Sequence, residues 1–286
     1  MKNKEVISVE DLSNILGPFF KSRMGRVLGK RLLKTLKIDK INAIHRTYYH
    51  LRGGKFTSAA LEHPFIQVSY RIHGEEKIEQ MKKSGAFIAV ANHPFGGLDG
   101  LMLIDVVGKA RPDFKVVANR FLTYIKALED SFIPVVPRQN KSSYNHNATE
   151  NVNSIKMISA HIKEGKPIGI FPAGGIANSK FGQEKGNEQL WQMSSIRMVR
   201  SAEVPVYPIY FEGENSKAYY YLNRISYMLS VLKIPSELFN KKGKEIGVYI
   251  GDPILPEEIQ RYKNNSDLRD FLMDKTLNLP SKYNEQ

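Results

Sequence analysis

Short apolar runs alternate with amphipathic segments from about residue 64 to the end of the chain. The runs are rich in Val, Ile and Phe and end at Gly, Pro or Asn, which is typical of buried strands. They predict strands within residues 65–74, 86–93, 114–119, 132–138, 167–175, 205–213 and 245–254. The intervening segments predict helices within 75–85, from near Asp99, within 153–166 and within 189–204. This alternation indicates an α/β fold, with a mixed, largely parallel sheet flanked by helices.

Residues 19–37, with the sequence FFKSRMGRVLGKRLLKTLK, predict a basic amphipathic helix. Its apolar stripe consists of Phe20, Met24, Val27, Leu28, Leu32 and Leu36. Such a stripe is typical of helices that lie in a membrane interface, but a stripe that packs on the protein's own core has the same period. Both interpretations stay open. We divide the chain into an N-terminal helical segment, 1–60, which associates with membranes under the first interpretation, and a main domain, 61–286.

Charge and composition narrow the classes of function. The 286 residues include no cysteine, which excludes a disulfide scaffold, a thiolate zinc site and a cysteine nucleophile. The net charge is +13, and residues 1–60 hold 13 Lys and Arg against 4 Asp and Glu, or +9. A basic end of this kind indicates an anionic partner, which is a nucleic acid, a membrane surface or an acidic carrier, although a solvated basic face has the same composition.

Neither a membrane span nor a secretory signal is visible in the sequence. No apolar run approaches the roughly 18–20 residues that cross a bilayer. The first residues, MKNKEVISVEDLSN, lack the apolar centre of a secretory signal. We therefore expect a protein that is not exported and that reaches a membrane, if at all, from its surface.

The stretch VANHPFGGLDG, at residues 90–100, carries the strongest chemical signal. A neutral imidazole can take a proton from a hydroxyl, and a carboxylate on its other nitrogen fixes the tautomer and stabilises the imidazolium. His93 and Asp99 fit these roles if the turn at Gly96 and Gly97 folds the carboxylate back to the ring. Two other readings stay open at this point, because Asp99 also suits a helix cap and His93 a buried structural histidine.

Further polar or glycine-rich segments follow three of the predicted strands. Asn92–Asp99, Arg138 and Phe171–Lys180 each come directly after an apolar run. Ligands of open α/β sheets bind beyond the carboxyl ends of the strands, so these segments predict one shared rim. For Arg138, an exposed arginine at a strand end is the alternative.

Four blocks in order resemble one enzyme family. NHPFGGLD resembles the first block of the glycerol-phosphate and lysophosphatidic acid acyltransferase superfamily, with five residues between His and Asp where four are usual. FIPVVPR, FPAGGIANSK and VPVYPIYFEGENS resemble the second, third and fourth blocks. The likeness spans roughly residues 20–255. The glycine-rich first block is similar to the hemolysin-like branch, which includes O-acyltransferases of lyso-ornithine lipids and similar amino-acid lipids.

The resemblance implies a mechanism and a set of site residues. His93 would deprotonate the free hydroxyl of a membrane lysolipid, Asp99 would orient His93, and the alkoxide would attack an acyl thioester. Acyl-carrier protein or acyl-CoA would be the donor, with no other cofactor and no metal. Arg138 would pair with an anionic group of the acceptor, and backbone N–H groups near Gly174 and Gly175 would stabilise the oxyanion. The expected substrate-binding residues are Asn92, Gly96, Gly97, Arg138, Phe171, Pro172, Gly174, Gly175, Ser179 and Lys180.

One departure from the family pattern bears on the acceptor. Ala173 stands where the third block usually has glutamate, which argues modestly against a glycerol-phosphate acceptor. The expected acceptor is therefore lyso-ornithine, lyso-glycine lipid or a lysophospholipid, and 1-acylglycerol-3-phosphate is the alternative. We expect a peripheral enzyme on the cytoplasmic face of an anionic membrane. A non-catalytic lipid-binding or nucleic-acid-binding protein is a remote alternative, and no nucleic-acid partner is expected.

Overall fold

A seven-stranded mixed sheet forms the centre of the molecule. The computed structural model describes residues 5–136, 144–179 and 186–284. The strands are β1 (Ser69–His73), β2 (Ile88–Ala91), β3 (Lys115–Asn119), β4 (Phe132–Val135), β5 (Ile168–Ile170), β6 (Val206–Phe211) and β7 (Glu245–Ile250), in the order β1-β7-β6-β2-β5-β3-β4. Strands β6, β2, β5, β3 and β4 are parallel, whereas β7 is antiparallel to β6 and parallel to β1. The predicted strands and the predicted mixed, largely parallel sheet are confirmed.

Helices connect the strands and precede the sheet. In the described residues they are α1 (Val9–Leu16), α2 (Arg23–Thr35), α3 (Ile38–Tyr48), α4 (Gly53–Glu62), α5 (Glu75–Lys83), α6 (Gly97–Ala110), α7 (Tyr144–Lys163), α8 (Met193–Ala202), α9 (Lys217–Ile225), α10 (Tyr227–Phe239), α11 (Pro256–Gln260), α12 (Asn265–Leu277) and α13 (Leu279–Asn284). Short 3-10 turns at Pro18–Lys21, Arg120–Tyr124 and Lys126–Ser131 complete the regular structure. The predicted helix within 189–204 begins four residues late, at Met193. The residues before it pair with the segment after β5 instead, since Asn187 bridges Asn178 and the N–H of Gln192 donates to the carbonyl of Pro172.

Apolar clusters on both faces explain why the sheet is buried. Helices α4 and α6 pack on one face, where Ala89 and Ala91 of β2 lie in a cluster with Leu103 of α6. On the other face, Ile88 and Val90 lie in a second cluster with residues of α7, α8 and α12. Because alternate side chains of a strand point to opposite faces, a strand covered on both sides reads as a continuous apolar run. That is the reason the sequence IAVA predicted a strand.

The connections place β2 where the chain changes direction across the sheet. From β2 the chain passes through α6 to β3 on one side, and from β5 it passes through α8 to β6 on the other side of β2. Crevices for ligands form at such points, beyond the carboxyl ends of the parallel strands. A ligand site is therefore expected among the residues that follow β2, β5 and β6.

Part of the apolar stripe in and around α2 is packed against the protein, and part is exposed to solvent. Phe20, Leu32 and Leu36 pack in a small cluster around Leu12, Leu33 and Ile38. Met24 and Val27 are 65% and 60% exposed. The packing interpretation therefore holds for one part of the stripe, and the membrane interpretation stays a prediction for the exposed part. In the described residues, no helix is both long and apolar enough to cross a bilayer.

The predicted division at residue 60 falls inside α4. Phe56 and Ala60 of this helix are buried in the same cluster as the sheet, and so is Ile44 of α3. Helices α3 and α4 therefore pack as part of the main body, while α1 and α2 contribute the separate small cluster.

Candidate active site

His93 and Asp99 meet at the carboxyl end of β2. Strand β2 ends at Ala91, the chain turns through Pro94–Gly96, and α6 begins at Gly97. The Nδ1 atom of His93 lies 3.0 Å from Oδ2 of Asp99. The side chain of Asp99 is fully buried, whereas that of His93 is 16% exposed. The turn therefore folds the carboxylate back to the ring, as the sequence analysis required.

Backbone N–H groups hold the carboxylate of Asp99 in place. Phe95 and Gly96 donate to Oδ2 at 2.9 and 3.1 Å, and Gly100 donates to Oδ1 at 2.8 Å. Asp99 is thus also the cap of α6, and the capping and catalytic readings are compatible. Because Oδ2 accepts, Nδ1 of His93 carries the proton, and Nε2 of the neutral ring keeps its lone pair for a substrate proton.

Two carboxylates set the protonation of His93. Burial by itself lowers the pKa of His93, but the charge and hydrogen bond of Asp99, with the charge of Glu188, outweigh burial and raise the pKa above its ordinary value. A base with a raised pKa binds the transferred proton more strongly, provided that the ring is neutral when the substrate arrives.

Glu188 is a residue that the sequence analysis missed. Its Oε2 accepts the backbone N–H of His93 at 3.0 Å, and its Oε1 accepts the indole N–H of Trp191 at 3.1 Å. Burial, with a smaller contribution from the charge of Asp99, raises the pKa of Glu188 to about 7 against the lowering effects of those two N–H donors and of His93. The available signal was an acidic residue three positions before the single tryptophan of the chain.

The segment after β5 closes one side of the site. The ring of Phe171 stacks on the imidazole of His93, with centroids 4.1 Å apart and an interplanar angle of 25°. Further along, Ala177 donates its N–H to the carbonyl of His93 at 2.8 Å. The sequence-predicted residues Phe171 and His93 are therefore brought into direct contact, and the ring face of Phe171 limits the motion of the base.

Gln192 and a backbone turn shape the glycine segment after Phe171. The N–H of Gly174 donates to the carbonyl of Phe171 at 2.9 Å, so this donor is committed to the turn rather than directed at an oxyanion. The backbone and side chain of Gln192 bond the carbonyls of Pro172 and Ala173 at 2.9 and 3.1 Å. Pro172 is buried and Gly174 is exposed. Gly175, also predicted to bind the oxyanion, retains that role as a prediction.

Ser179 is buried at the end of the same segment. Its hydroxyl accepts a hydrogen bond from Nη2 of Arg224 at 2.8 Å. This contact joins the segment after β5 to α9. The predicted substrate contact of Ser179 remains a prediction.

Asn92 and the two glycines of the turn have different surroundings. The amide of Asn92 exchanges two hydrogen bonds with the backbone of Phe211, at 3.0 and 2.7 Å, and so clamps the end of β2 to that of β6. Gly96 has a φ of +91° and lies against Ile176, whereas an added Cβ at Gly97 would meet no described atom within 4 Å. Open space therefore borders the first turn of α6. The substrate contacts predicted for these three residues stay predictions.

Arg138 and Lys180 lie outside the described residues. Arg138 follows β4, which is separated from β2 by β5 and β3, so the end of β4 lies roughly 14 Å from that of β2 at about 4.8 Å per strand. A cavity of about 370 Å³ lies at the ends of β3 and β4. Its walls include Arg120, Tyr124, Pro134, Val136, Ser154 and Met157.

The described residues contain no cluster of three or more His, Asp or Glu side chains arranged to hold a metal ion. What they do contain is a histidine, His93, whose Nδ1 atom contacts Asp99 and whose Nε2 atom is therefore left for a substrate. The arrangement can take a proton from a hydroxyl and return it to a leaving group, which is the chemistry of group transfer between oxygen or sulfur atoms.

Comparisons with known proteins agree with this chemistry. A family model described as "Acyltransferase" matches residues 18–284. A lyso-glycine lipid O-acyltransferase of Bacteroides thetaiotaomicron is 25% identical over 250 residues, covering 85% of this chain and 86% of the relative. A protein of the same name from Phocaeicola vulgatus is 25% identical over 243 residues, covering 82% and 81%.

A solved structure, the 1-acyl-sn-glycerophosphate acyltransferase PlsC from Thermotoga maritima, has a TM-score of 0.48 and 18% identity, covering 91% of this chain and 88% of that one. The family match extends over nearly the whole chain and includes each of the elements that surround His93. The chain therefore belongs to the acyltransferase family and is an acyltransferase enzyme.

Proposed function

We propose that this acyltransferase moves a fatty acyl group from a thioester, acyl-carrier protein or acyl-CoA, to the free hydroxyl of a membrane lysolipid. The observation that carries the proposal is the hydrogen bond between His93 Nδ1 and Asp99 at the carboxyl end of β2. The names of the two bacterial relatives support an acceptor of the amino-acid lysolipid class. The expected place of action is the cytoplasmic face of the membrane.

The proposed reaction needs one base and no covalent enzyme intermediate. Nε2 of His93 accepts the proton of the lysolipid hydroxyl while the oxygen attacks the thioester carbonyl carbon. The tetrahedral intermediate collapses, the C–S bond breaks, and the imidazolium returns its proton to the departing thiolate. The negative charge of Asp99 stabilises the imidazolium between these steps.

Glu188 and Phe171 contribute to this reaction by holding the base. The bond from the His93 N–H to Glu188 fixes the backbone, and the ring of Phe171 covers one face of the imidazole. A base held by its backbone, its ring face and its Nδ1 atom loses little further freedom when substrate binds. Gly175 is the proposed oxyanion donor, since the N–H of Gly174 is used in the turn.

A direct assay tests the proposal. Purified protein is incubated with mixed vesicles carrying lyso-glycine lipid, lyso-ornithine lipid or lysophosphatidic acid, and with labelled acyl-carrier protein or acyl-CoA. We expect a diacylated product from an amino-acid lysolipid, and none from His93→Ala. His93→Gln is the matched control for size, because it keeps an amide near Asp99 but has no basic nitrogen.

Two results would contradict the proposal in different ways. Product from lysophosphatidic acid alone would replace the acceptor with the glycerol-phosphate alternative and keep the mechanism. Equal product from the wild type and from both His93 variants would remove His93 as the base.

A further inference from the structure

Helices α9 and α10 form a hairpin that exposes large apolar side chains to solvent. We define the hairpin face as six residues that are each more than 40% exposed: Tyr221, Ile225, Tyr227, Met228, Leu229 and Leu232. At about 200 Å² for a large side chain, these fractions leave roughly 600 Å² of exposed side-chain surface in total. This is at the upper end of what a monomeric soluble protein exposes, and such patches mark interaction sites.

The side of the hairpin that faces the protein is firmly packed. Tyr219 and Tyr220 are each 2% exposed, whereas the neighbouring Tyr221 is 63% exposed. The carboxylate of Glu237 in α10 accepts from both the N–H and the hydroxyl of Ser216, at 2.8 and 2.7 Å, at the start of α9. These contacts fix the rotation of both helices, so the hairpin face cannot turn inward without breaking a buried polar network.

The charges of the hairpin suit an anionic lipid surface. Glu237 is the one acidic residue between positions 217 and 239, and its side chain is 1% exposed. The remaining charged residues of the two helices are Lys217, Arg224 and Lys233, which leaves a net charge of +2. Lys233 lies 3.7 Å from Glu237, and Arg224 bonds Ser179. Apolar side chains with tyrosines among them, flanked by basic residues and without exposed acid, are the composition of a face that lies in a membrane interface.

The hairpin also lies beside the active site. Helix α10 packs against α6, whose first residue follows Gly96, and Ile234 of α10 is among the side chains nearest Gly96. From α9, Arg224 donates to the hydroxyl of Ser179, at the end of the segment that begins by stacking on His93. A membrane that contacts the hairpin face would therefore touch the rim of the site.

We propose that the hairpin face docks on an anionic membrane surface and brings the rim of the His93 site to lysolipid in that membrane. The inference rests on the proposed function, since a membrane acceptor gives the docking its purpose. Membrane docking is thereby assigned to a surface that is separate from α2. Helix α3, which follows α2, reaches the end of the hairpin, because Nζ of Lys40 lies 5.4 Å from the ring centroid of Phe239.

Vesicle binding of the full chain tests the docking surface. The wild type is compared with Ile225→Glu/Met228→Glu by flotation with vesicles of phosphatidylglycerol and phosphatidylethanolamine. Both positions are exposed, so we expect normal folding and at least about a tenfold weaker partition into vesicles. The matched control is Leu255→Glu, at a position that is 51% exposed. Leu255 follows Ile254, which bridges Val206 at the amino end of β6, whereas the hairpin follows the carboxyl end of the same strand. We expect this control variant to bind as the wild type does.

A fluorescent reporter keeps the test independent of how well the double variant folds. The chain has one tryptophan, Trp191, and it is buried. Tyr221→Trp adds a second indole on the hairpin face, and Leu255→Trp adds one at the control position. With the same vesicles we expect a blue shift and quenching by brominated lipid for Tyr221→Trp alone. Equal responses from the two positions, or none from Tyr221→Trp, would overturn the proposal.

Activity separates this proposal from the proposed function. The double variant should keep its kcat/KM on a short-chain lysolipid that is dispersed below its micelle concentration, and lose activity on lysolipid held in vesicles. A wild type that binds vesicles through the hairpin but acylates no lysolipid would refute the proposed function and leave the docking surface. An active wild type whose vesicle binding survives the double substitution would refute the docking surface alone.

The same experiments would also reveal two other binding partners of the hairpin face. If the wild type is a dimer, the double variant a monomer, and vesicle binding unchanged, the face is an interface between two copies of this chain. If only the KM for acyl-carrier protein rises, the face is a donor surface. Either result would overturn the membrane assignment.

Discussion

Asp99→Asn separates the charge of this carboxylate from its hydrogen bonds. Oδ2 of Asp99 accepts from three donors, which are Nδ1 of His93 and the N–H groups of Phe95 and Gly96, whereas Oδ1 accepts from Gly100 alone. An amide NH₂ at the Oδ2 position would face three donors, and at the Oδ1 position only one. We therefore expect the asparagine to keep its oxygen at the Oδ2 position and to retain the Nδ1–H tautomer of His93.

The loss in the variant is then electrostatic. A hydrogen bond to a charged group contributes about 1.5–3 kcal/mol, and the neutral amide retains only part of it. Losing about 1–2 kcal/mol of stabilisation of the imidazolium corresponds to roughly a 5- to 30-fold lower kcat/KM. Because the charge and hydrogen bond of Asp99 raise the pKa of His93, the variant should also have a lower pKa at this histidine.

The assay is kcat/KM for acyl transfer from about pH 5 to 9, for the wild type and for Asp99→Asn. His93 must be neutral to act as base, so activity rises as the pH increases through its pKa. In the variant, this rise should occur at lower pH and reach a lower plateau. Asp99→Leu is the control that removes every hydrogen bond, and it should lose more activity and also lower the melting temperature.

Two results would refute the reasoning. A fall of roughly 10⁴-fold, as follows when a carboxamide traps the wrong tautomer of a catalytic histidine, would show that the amide is turned the other way. If kcat/KM rises at the same pH in both proteins, Asp99 does not control the pKa of His93.

Three further substitutions follow from the same site. Asn92→Ala leaves the buried N–H and C=O of Phe211 unpaired and should lower the free energy of unfolding by about 2–4 kcal/mol in urea titrations, and an unchanged midpoint would refute the clamp. Gly96→Ala places a Cβ at a φ of +91° and against Ile176, so kcat should fall at least about tenfold; full activity would show that the turn adapts freely. Glu188→Gln replaces a carboxylate whose folded pKa of about 7 exceeds its unfolded value of 4.5, so the wild type loses stability as the pH rises through 7. Relative to the wild type, the variant should therefore gain on the order of 2 kcal/mol of stability between pH 5.5 and 8 in thermal melts. A difference in stability that stays constant with pH would contradict the raised pKa of Glu188.

The sequence was sufficient for the strands and for the contact between His93 and Asp99. IAVA and the other apolar runs predicted strands because the sheet is covered on both faces, and this leaves a local pattern in each run. The pairing of His93 with Asp99 was also predictable, since five residues with two glycines between them can form a single turn. Both features leave a pattern within about ten residues of sequence, which periodicity and spacing describe.

Tertiary structure decided the contacts that join distant segments. Glu188 reaches the backbone of His93 across 95 positions, and the helix that the pattern predicted from residue 189 begins at Met193 because the intervening residues brace the site. Local periodicity carries no information on which strand lies beside β2, and therefore none on the clamp from Asn92 to Phe211.

The exposure of apolar residues was likewise decided only in three dimensions. Three consecutive tyrosines have the same hydrophobicity, yet Tyr219 and Tyr220 are buried and Tyr221 is 63% exposed. In α2, half of one continuous stripe packs and the other half faces solvent. The sequence determined which segments are amphipathic, because that property belongs to each segment alone. The packing of whole elements decided which apolar faces are buried and which stay exposed, because burial depends on neighbours that lie far away along the chain.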